Sequence, residues 1–383
     1  MTQTLQRVCL VGCLGRLGLT GPRVAAAAAT PSRSPSELRE PHEPAGLLVP
    51  QAEAQAGEAA SEGQGIRRTQ LGCGVDAALK LVVGDARPKV AHNRRAAWQL
   101  INTGVPYLVL FASLMEAIRR GASVWLCLAL AVPASAFMVR LFVLFHDCVH
   151  GSFVGSARHC RIIGRALGVL VLTPYGNWRY HHLTHHATAG DLDRRNTGDI
   201  WTLTVEEYRR ATLWQRLSYR IFRLPPVMFG LGPLVLFLFL HRLPGANPTR
   251  ARTWSVLGTN AVVVAVGAAW CLAFGVKAYL AAQLAVLLLG GAGGVWLFYV
   301  QHQFSPSYWS RHERWDVVRA ALEGSSYYKL PKLLQWFSAS IGLHHVHFSN
   351  LRKPWTQAGR RTCPSLAAAA RAPPALVSTL STT

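Results

Sequence analysis

The chain has 383 residues, of which 50% are hydrophobic and only 15% are charged, against roughly 25% charged residues in soluble proteins. This composition and several apolar runs of about 20 residues exclude an ordinary soluble domain and predict an integral membrane protein. The net charge of +22 comes without a nucleic-acid recognition motif, so we attribute it to loops facing anionic lipid headgroups and expect no nucleic-acid partner. The eight scattered cysteines form no CxxC pair and predict neither a disulfide framework nor a zinc ribbon.

Residues 1–90 predict a disordered N-terminal region rather than a folded domain. An alanine run at 25–29 precedes sequence rich in Pro, Ser, Glu, Gln and Gly, which buries too little apolar surface to fold. The first thirty residues contain Arg7, Arg16 and Arg23 and no acidic residue. This pattern fits a weak transit peptide, a disordered tail or a misassigned start.

Four apolar runs predict helices that cross the membrane as two hairpins. A tight turn at 119–121 closes the first hairpin, and a short turn at Lys277 closes the second. The predicted spans are residues 100–118, 122–145, 254–276 and 279–300. We therefore expect an all-α fold, an integral membrane helical bundle of four spanning helices with interfacial helices and a cytoplasmic histidine-rich cap.

Two further apolar segments are predicted not to cross. Residues 162–172 are too few to span a bilayer and suit the interface. Residues 224–240 contain three prolines. If the histidines on both sides serve one site, an even number of crossings must separate His186 from His302. The segment at 224–240 is therefore predicted to be interfacial or re-entrant.

The charge distribution predicts the orientation of the histidine-bearing face. Residues 158–223 and 311–361 are dense in Arg and Lys, whereas the opposite side has mainly Arg119, Arg120 and Lys277. Lys and Arg are in excess in cytoplasmic loops. We expect a multi-pass protein whose histidine site faces the cytoplasm, or the equivalent side of an organelle.

Histidines are concentrated near the predicted ends of the spanning runs. Residues 146–150 read HDCVH, residues 181–186 read HHLTHH, and residues 344–347 read HHVH. Spacings of three and four residues place side chains on one face of a helix. The predicted metal ligands are His146, His150, His182, His185, His186, His302, His344 and His347.

This number of imidazoles exceeds the four ligands of a tetrahedral zinc and predicts two metal ions. Imidazole suits iron, zinc, copper and nickel, but zinc has no redox chemistry. Without thiolate ligands, the set best fits non-haem iron, which can activate dioxygen.

Residues beside the predicted ligands are candidates for orienting them by hydrogen bonding. The candidate carboxylates are Asp147, Asp191, Asp193 and Asp199. His181 and His345 adjoin the clusters but point off the helical face, which favours a supporting or surface role. The isolated histidines are expected to be solvated or interfacial: His42, His92, His159, His241 and His312.

The three histidine motifs resemble the histidine boxes of membrane fatty acid desaturases, and of the bacterial acyl-lipid Δ12/ω-6 type in particular. Segments around the boxes extend the resemblance, which covers roughly residues 90 to 347. These segments are 151–153, 190–195, 198–208, 301–304, 324–331 and 341–342. The resemblance implies a desaturase membrane domain at residues 91–348.

The resemblance also implies chemistry and partners. It implies two non-haem iron ions, dioxygen as co-substrate, and electrons from a ferredoxin or cytochrome b5-type donor. The substrate would be the acyl chain of a lipid, held in a dry, bent channel. A hydroxylase, acetylenase or ketolase built on the same boxes remains an alternative. A metal transporter is disfavoured, because the spanning runs hold almost no polar residues.

The third box departs from the family pattern HxxHH, because its last position is Phe348. Residues 349–383 are rich in Ala, Pro, Ser, Thr and Arg and predict a low-complexity C-terminal tail. A frameshift near codon 348 would produce both features. The missing histidine leaves a second alternative, an inactive desaturase remnant.

Overall fold

The computed structural model describes residues 93–195, 198–245 and 248–344. The predicted N-terminal region and C-terminal tail lie outside them, as do His42, His92, His345, His347 and Phe348. Within the described ranges the fold is all-α, as predicted, with two isolated β-bridges and no strand. The α-helices are α1 Asn93–Arg119, α2 Val124–Val149, α3 Ala157–Leu170, α4 Tyr175–Thr188, α5 Val205–Arg210, α6 Leu213–Arg223, α7 Gly232–Leu238, α8 Arg250–Phe274, α9 Val276–His302, α10 Val317–Glu323 and α11 Lys332–Phe337. Shorter helical turns are Pro226–Leu231, Leu240–Arg242 and His312–Arg314.

The four helices α1, α2, α8 and α9 are long and apolar enough to cross a membrane, which confirms the predicted number of spans. Each begins or ends a few residues outside the predicted apolar run, because helices continue into polar sequence. The second hairpin turns at Gly275, whose φ of +89° favours glycine. The turn predicted at Lys277 is therefore wrong, since that residue lies inside α9.

Helices α1, α2 and α9 enclose most of the apolar core. Phe111 and Leu114 of α1, Leu141 and Leu144 of α2, and Leu287 of α9 are buried in one cluster. Only 11% of the apolar stretch of α8 is buried, against 33% to 50% in the other three spans. Helix α8 is therefore peripheral, and one of its faces is left open beside α3 and α4.

The segment from α6 to Arg242 is bent by 69° near its prolines. By length and composition alone, it could count as a fifth span. The Nε2 atoms of His185 and His302, which lie on either side of this segment and of α8 and α9, are 3.1 Å apart. Two crossings return the chain to the same face, whereas three would not. The contact supports the predicted interfacial or re-entrant placement.

Helix α3 is amphipathic and is too short to span the membrane. The Ser156 hydroxyl caps its N-terminus by accepting a hydrogen bond from His159 N. Its buried face includes Gly164, where a Cβ would overlap the Tyr175 ring of α4. This close approach fixes α3 against the start of α4, and Arg161 and Arg165 remain exposed on α3.

Candidate metal centre

The first group of histidines joins the end of α2 to α4. His146 and His150 come from the last turn and C-cap of α2, and His182 and His186 come from α4. One nitrogen of each lies within 4.8 Å of the others. The Nε2 atom of His182 is 2.9 Å from that of His150 and 3.0 Å from that of His186. The predicted helical spacing therefore brings four imidazoles to one point.

The second group joins α4 to the end of α9 and to the last described residue. His185, His302 and His344 are all buried, and their ligand atoms lie within 4.8 Å of one another. The Nε2 atom of His302 is 3.1 Å from that of His185 and 3.0 Å from that of His344. Seven of the eight predicted ligands thus fall in two groups, and His347 lies outside the described residues.

Helix α4 contributes to both groups and holds them side by side. The ring centroids of His185 and His186 are 5.7 Å apart, and those of His186 and His344 are 6.1 Å apart. Side chains three and four residues apart lie on the same face of a helix but point in slightly different directions. One helix can therefore contribute ligands to two adjacent centres.

The donor set fits a pair of first-row transition metals. Imidazole nitrogens stand about 2.0–2.1 Å from zinc, so two such ligands at right angles are about 3 Å apart. The Nε2 separations of 2.9 to 3.1 Å match this spacing. Neither group includes a thiolate or a carboxylate.

Burial keeps the first group in the form that binds a metal. It lowers the pKa of His150, His182 and His186 well below the usual range, and the charges of neighbouring groups lower it further. These imidazoles are therefore neutral at physiological pH, and neutral imidazole is the metal-binding form.

Two hydrogen bonds fix the orientation of the second group. His185 Nδ1 donates to Asp199 Oδ1 at 2.6 Å, and His302 Nδ1 donates to the Gly324 carbonyl at 3.1 Å. Both partners accept, so each ring carries its proton on Nδ1 and directs the Nε2 lone pair at the centre.

The first group is supported differently. The Asp147 carboxylate lies 3.8 Å from His146 Nδ1. The Trp178 indole stacks on the His182 ring, with centroids 4.3 Å apart and planes 14° from parallel. Neither Trp178 nor the Gly324 carbonyl is among the site residues predicted from the sequence. Trp178 precedes His182 by four residues, a spacing that signals a shared helical face.

Two other predicted carboxylates take part in a separate network. Asp191 accepts from His312 Nδ1 at 2.8 Å, and Asp193 accepts from Arg311 at 2.6 Å. The expected contact of Asp191 and Asp193 with clustered histidines is not seen in the described part of the chain. His312 is exposed, as predicted, and the backbone pairing of Leu192 with Ser310 brings it to Asp191.

The remaining histidines stay outside both groups. His181 is half-buried beside Tyr180, off the face that carries His182. His241, expected to be solvated or interfacial, is partly exposed; its Nδ1 lies 3.3 Å from the Thr173 hydroxyl, and desolvation lowers its pKa to about 3. His159 is exposed, as predicted.

The geometry predicts a measurable role for Asp199. In Asp199→Asn the amide can donate to His185 Nδ1, which moves the ring proton to Nε2 and removes the lone pair. We expect metal affinity to fall about 10–100-fold, the usual cost of losing an orienting partner. Titration of the metal-free protein with Co²⁺ measures it. Asp193→Asn is the matched control, and an equal loss in both variants would contradict the assignment.

Comparisons with known proteins agree with this architecture. Residues 123–363 match the fatty acid desaturase family, so the match extends past the predicted domain end at residue 348. The chain is 44% identical over 275 residues to a fatty acid desaturase of Bacillus subtilis, covering 72% of this chain and 77% of that protein.

More distant similarities are to named omega-3 desaturases. An endoplasmic reticulum omega-3 fatty acid desaturase of Vigna radiata is 28% identical over 215 residues, covering 52% of this chain and 54% of that protein. An sn-1 acyl-lipid omega-3 desaturase (ferredoxin) of Synechocystis is 29% identical over 230 residues, covering 55% and 60%. The chain thus spans less than two thirds of these two relatives. The family match and the Bacillus similarity establish that this membrane protein belongs to the fatty acid desaturases, a family of oxidoreductases.

Proposed function

We propose that the chain is a dioxygen-dependent di-iron desaturase that introduces a cis double bond into the acyl chain of a lipid. The observation that carries this proposal is the pair of adjoining imidazole groups, four and three histidines, with Nε2 separations near 3 Å. An all-nitrogen set of this size suits redox-active iron.

His146, His150, His182 and His186 would hold one iron, and His185, His302 and His344 with His347 would hold the other. When bound, the iron pair supplies redox chemistry that no side chain offers. In the overall reaction a CH2–CH2 pair loses two hydrogens, and dioxygen with two electrons and two protons leaves as two molecules of water. A double bond forms between the two carbons.

The chain's own residues prepare the site for this reaction. Asp199 and the Gly324 carbonyl hold the Nδ1 protons of His185 and His302, so both rings are oriented before a metal arrives. Six of the seven described clustered histidines are buried, which excludes bulk water that would otherwise compete with an apolar chain for the same space.

The finer assignments rest on the resemblance and the charge distribution. We propose Δ12 or ω-6 regiochemistry, a ferredoxin or cytochrome b5-type electron donor, and a histidine site on the cytoplasmic side. The Synechocystis relative is named as an acyl-lipid desaturase (ferredoxin), which supports this donor class. A hydroxylase or ketolase on the same scaffold would leave an oxygen atom in the product.

One sequence feature favours a different outcome. Phe348 occupies the position where the family's third box has its last histidine. A chain that has lost this ligand could keep the scaffold without turning over, as an inactive desaturase remnant.

Fatty-acid methyl-ester profiling of cells that express the chain tests the proposal. The cells also express an electron donor. We expect new cis-monoenoic or dienoic chains in membrane lipids when oxygen is present and none without it. A hydroxy or keto product would show that the chain is a hydroxylase or ketolase rather than a desaturase. If no oxygen-dependent product forms, even with Phe348→His, the proposed function is contradicted.

A further inference from the structure

An open cavity of about 1410 Å³ lies outside the two histidine groups. The loop after α2, helices α3 and α4, and the first turns of α8 enclose it. Its volume exceeds the 300–1,000 Å³ typical of small-molecule sites and suits a larger, amphiphilic molecule.

Four arginines line the walls of this cavity and give it a positive charge. Arg161 and Arg165 come from one face of α3, Arg179 from α4 and Arg252 from α8. None of the described residues that line the cavity is Asp or Glu. Among the residues that the structure describes, no acidic side chain forms an ion pair with Arg161, Arg165 or Arg179.

Much of the remaining lining is apolar and extends along α8. Val149, Val169, Trp254 and Val262 contribute side chains. Val262 lies 12 residues after the start of α8 at Arg250, a distance of about 18 Å along the helix. Because α8 is long and apolar enough to span a membrane, the cavity runs from the helix end towards bilayer depth.

The cavity also adjoins the first histidine group. His150 lines it, and the Nε2 atom of His150 is 2.9 Å from that of His182. A molecule held by the arginines can therefore extend an apolar chain along the wall of the cavity while remaining next to the candidate metal centre.

We propose that this cavity binds the head of an anionic glycerophospholipid and selects it over zwitterionic lipids. Guanidinium groups pair bidentately with phosphate oxygens. An ammonium group, as in phosphatidylethanolamine, would meet four arginines and, within the described lining, no carboxylate. The role of this lipid as substrate rests on the proposed function, whereas its binding does not.

Native mass spectrometry of the full chain in detergent measures the binding directly. Phosphatidylglycerol and phosphatidylethanolamine with identical acyl chains are compared, and we expect the wild type to retain phosphatidylglycerol preferentially. Each arginine near a lipid surface contributes about fivefold to affinity, so Arg161→Gln/Arg165→Gln should bind phosphatidylglycerol about 25-fold more weakly. Arg161→Lys/Arg165→Lys keeps the charge and should keep the preference, which also shows that the positions tolerate change.

The matched control is Arg209→Gln/Arg210→Gln, which removes the same charge from α5, outside the cavity. We expect no change in its lipid binding. Equal retention of the two lipids by the wild type, or equal phosphatidylglycerol binding by the wild type and Arg161→Gln/Arg165→Gln, would overturn the proposal. Displacement of phosphatidylglycerol by equimolar oleoyl-CoA or inorganic phosphate would assign the arginines to another phosphate source and overturn it too.

Product analysis of the chain reconstituted in vesicles of each lipid separates this inference from the proposed function. If the chain selects phosphatidylglycerol through the arginines but forms no double bond in any lipid, the desaturase assignment is contradicted and the headgroup site is still supported. Desaturation at equal rates in both lipids would support the proposed function and contradict headgroup selection.

Discussion

His185→Ala should abolish double-bond formation, with a loss of at least about 100-fold. His185 Nε2 lies 3.1 Å from His302 Nε2, and its ring is buried and held by Asp199. Loss of an orienting partner alone costs about 10–100-fold in metal affinity or activity, so loss of the ligand should cost more. The measurement is the yield of unsaturated methyl esters per unit of membrane-inserted protein.

His159→Ala is the control for this prediction. The His159 side chain is exposed on α3, so this substitution also removes an imidazole but leaves both histidine groups intact. The His159→Ala variant should retain nearly full activity. Equal loss of activity in His159→Ala and His185→Ala would show that the ligand assignment is wrong. His312→Ala is a poor control, because His312 hydrogen-bonds the buried carboxylate of Asp191.

Phe348→His should raise both iron content and double-bond formation, the latter at least about tenfold. His344, position 347 and position 348 repeat the spacing of His182, His185 and His186. If position 348 faces the metals, as this spacing predicts, a phenyl ring there supplies no ligand and blocks a coordination position. Since losing an orienting partner already costs about 10–100-fold, restoring a ligand should recover at least as much.

Phe348→Leu separates relief of crowding from gain of a ligand. It removes the aromatic ring without adding a nitrogen and should leave iron content unchanged. Full activity of the unaltered chain, with no gain in Phe348→His, would show that the eight predicted histidines and solvent complete the site. The same rise in Phe348→Leu and Phe348→His would mean that size, not ligation, limits the centre.

Much of the candidate centre could be predicted from the sequence because its determinants are local. Spacings of three and four residues fixed the shared faces of His146 with His150 and of the histidines on α4. The lengths of the apolar runs identified the candidate spans. The assumption that His186 and His302 serve one site then required an even number of crossings between them, which excluded the segment at 224–240.

The rest depends on contacts between distant segments, which periodicity does not encode. The Gly324 carbonyl reaches His302 only because the chain folds back after α9. The pairing of Asp191 with His312 requires backbone hydrogen bonds between two loops. The arginines of the cavity come from three helices, and only tertiary packing shows that they share one space.

Iron stoichiometry of the purified chain tests the central claim most directly. If the two imidazole groups hold one metal each, anaerobic reconstitution of Phe348→His should give about two irons per chain, detected by elemental analysis and Mössbauer spectroscopy as a coupled pair. His182→Ala, which removes the residue whose Nε2 contacts both His150 and His186, should lose iron from the first group. Zinc in place of iron, or two irons retained in His182→Ala, would contradict the account.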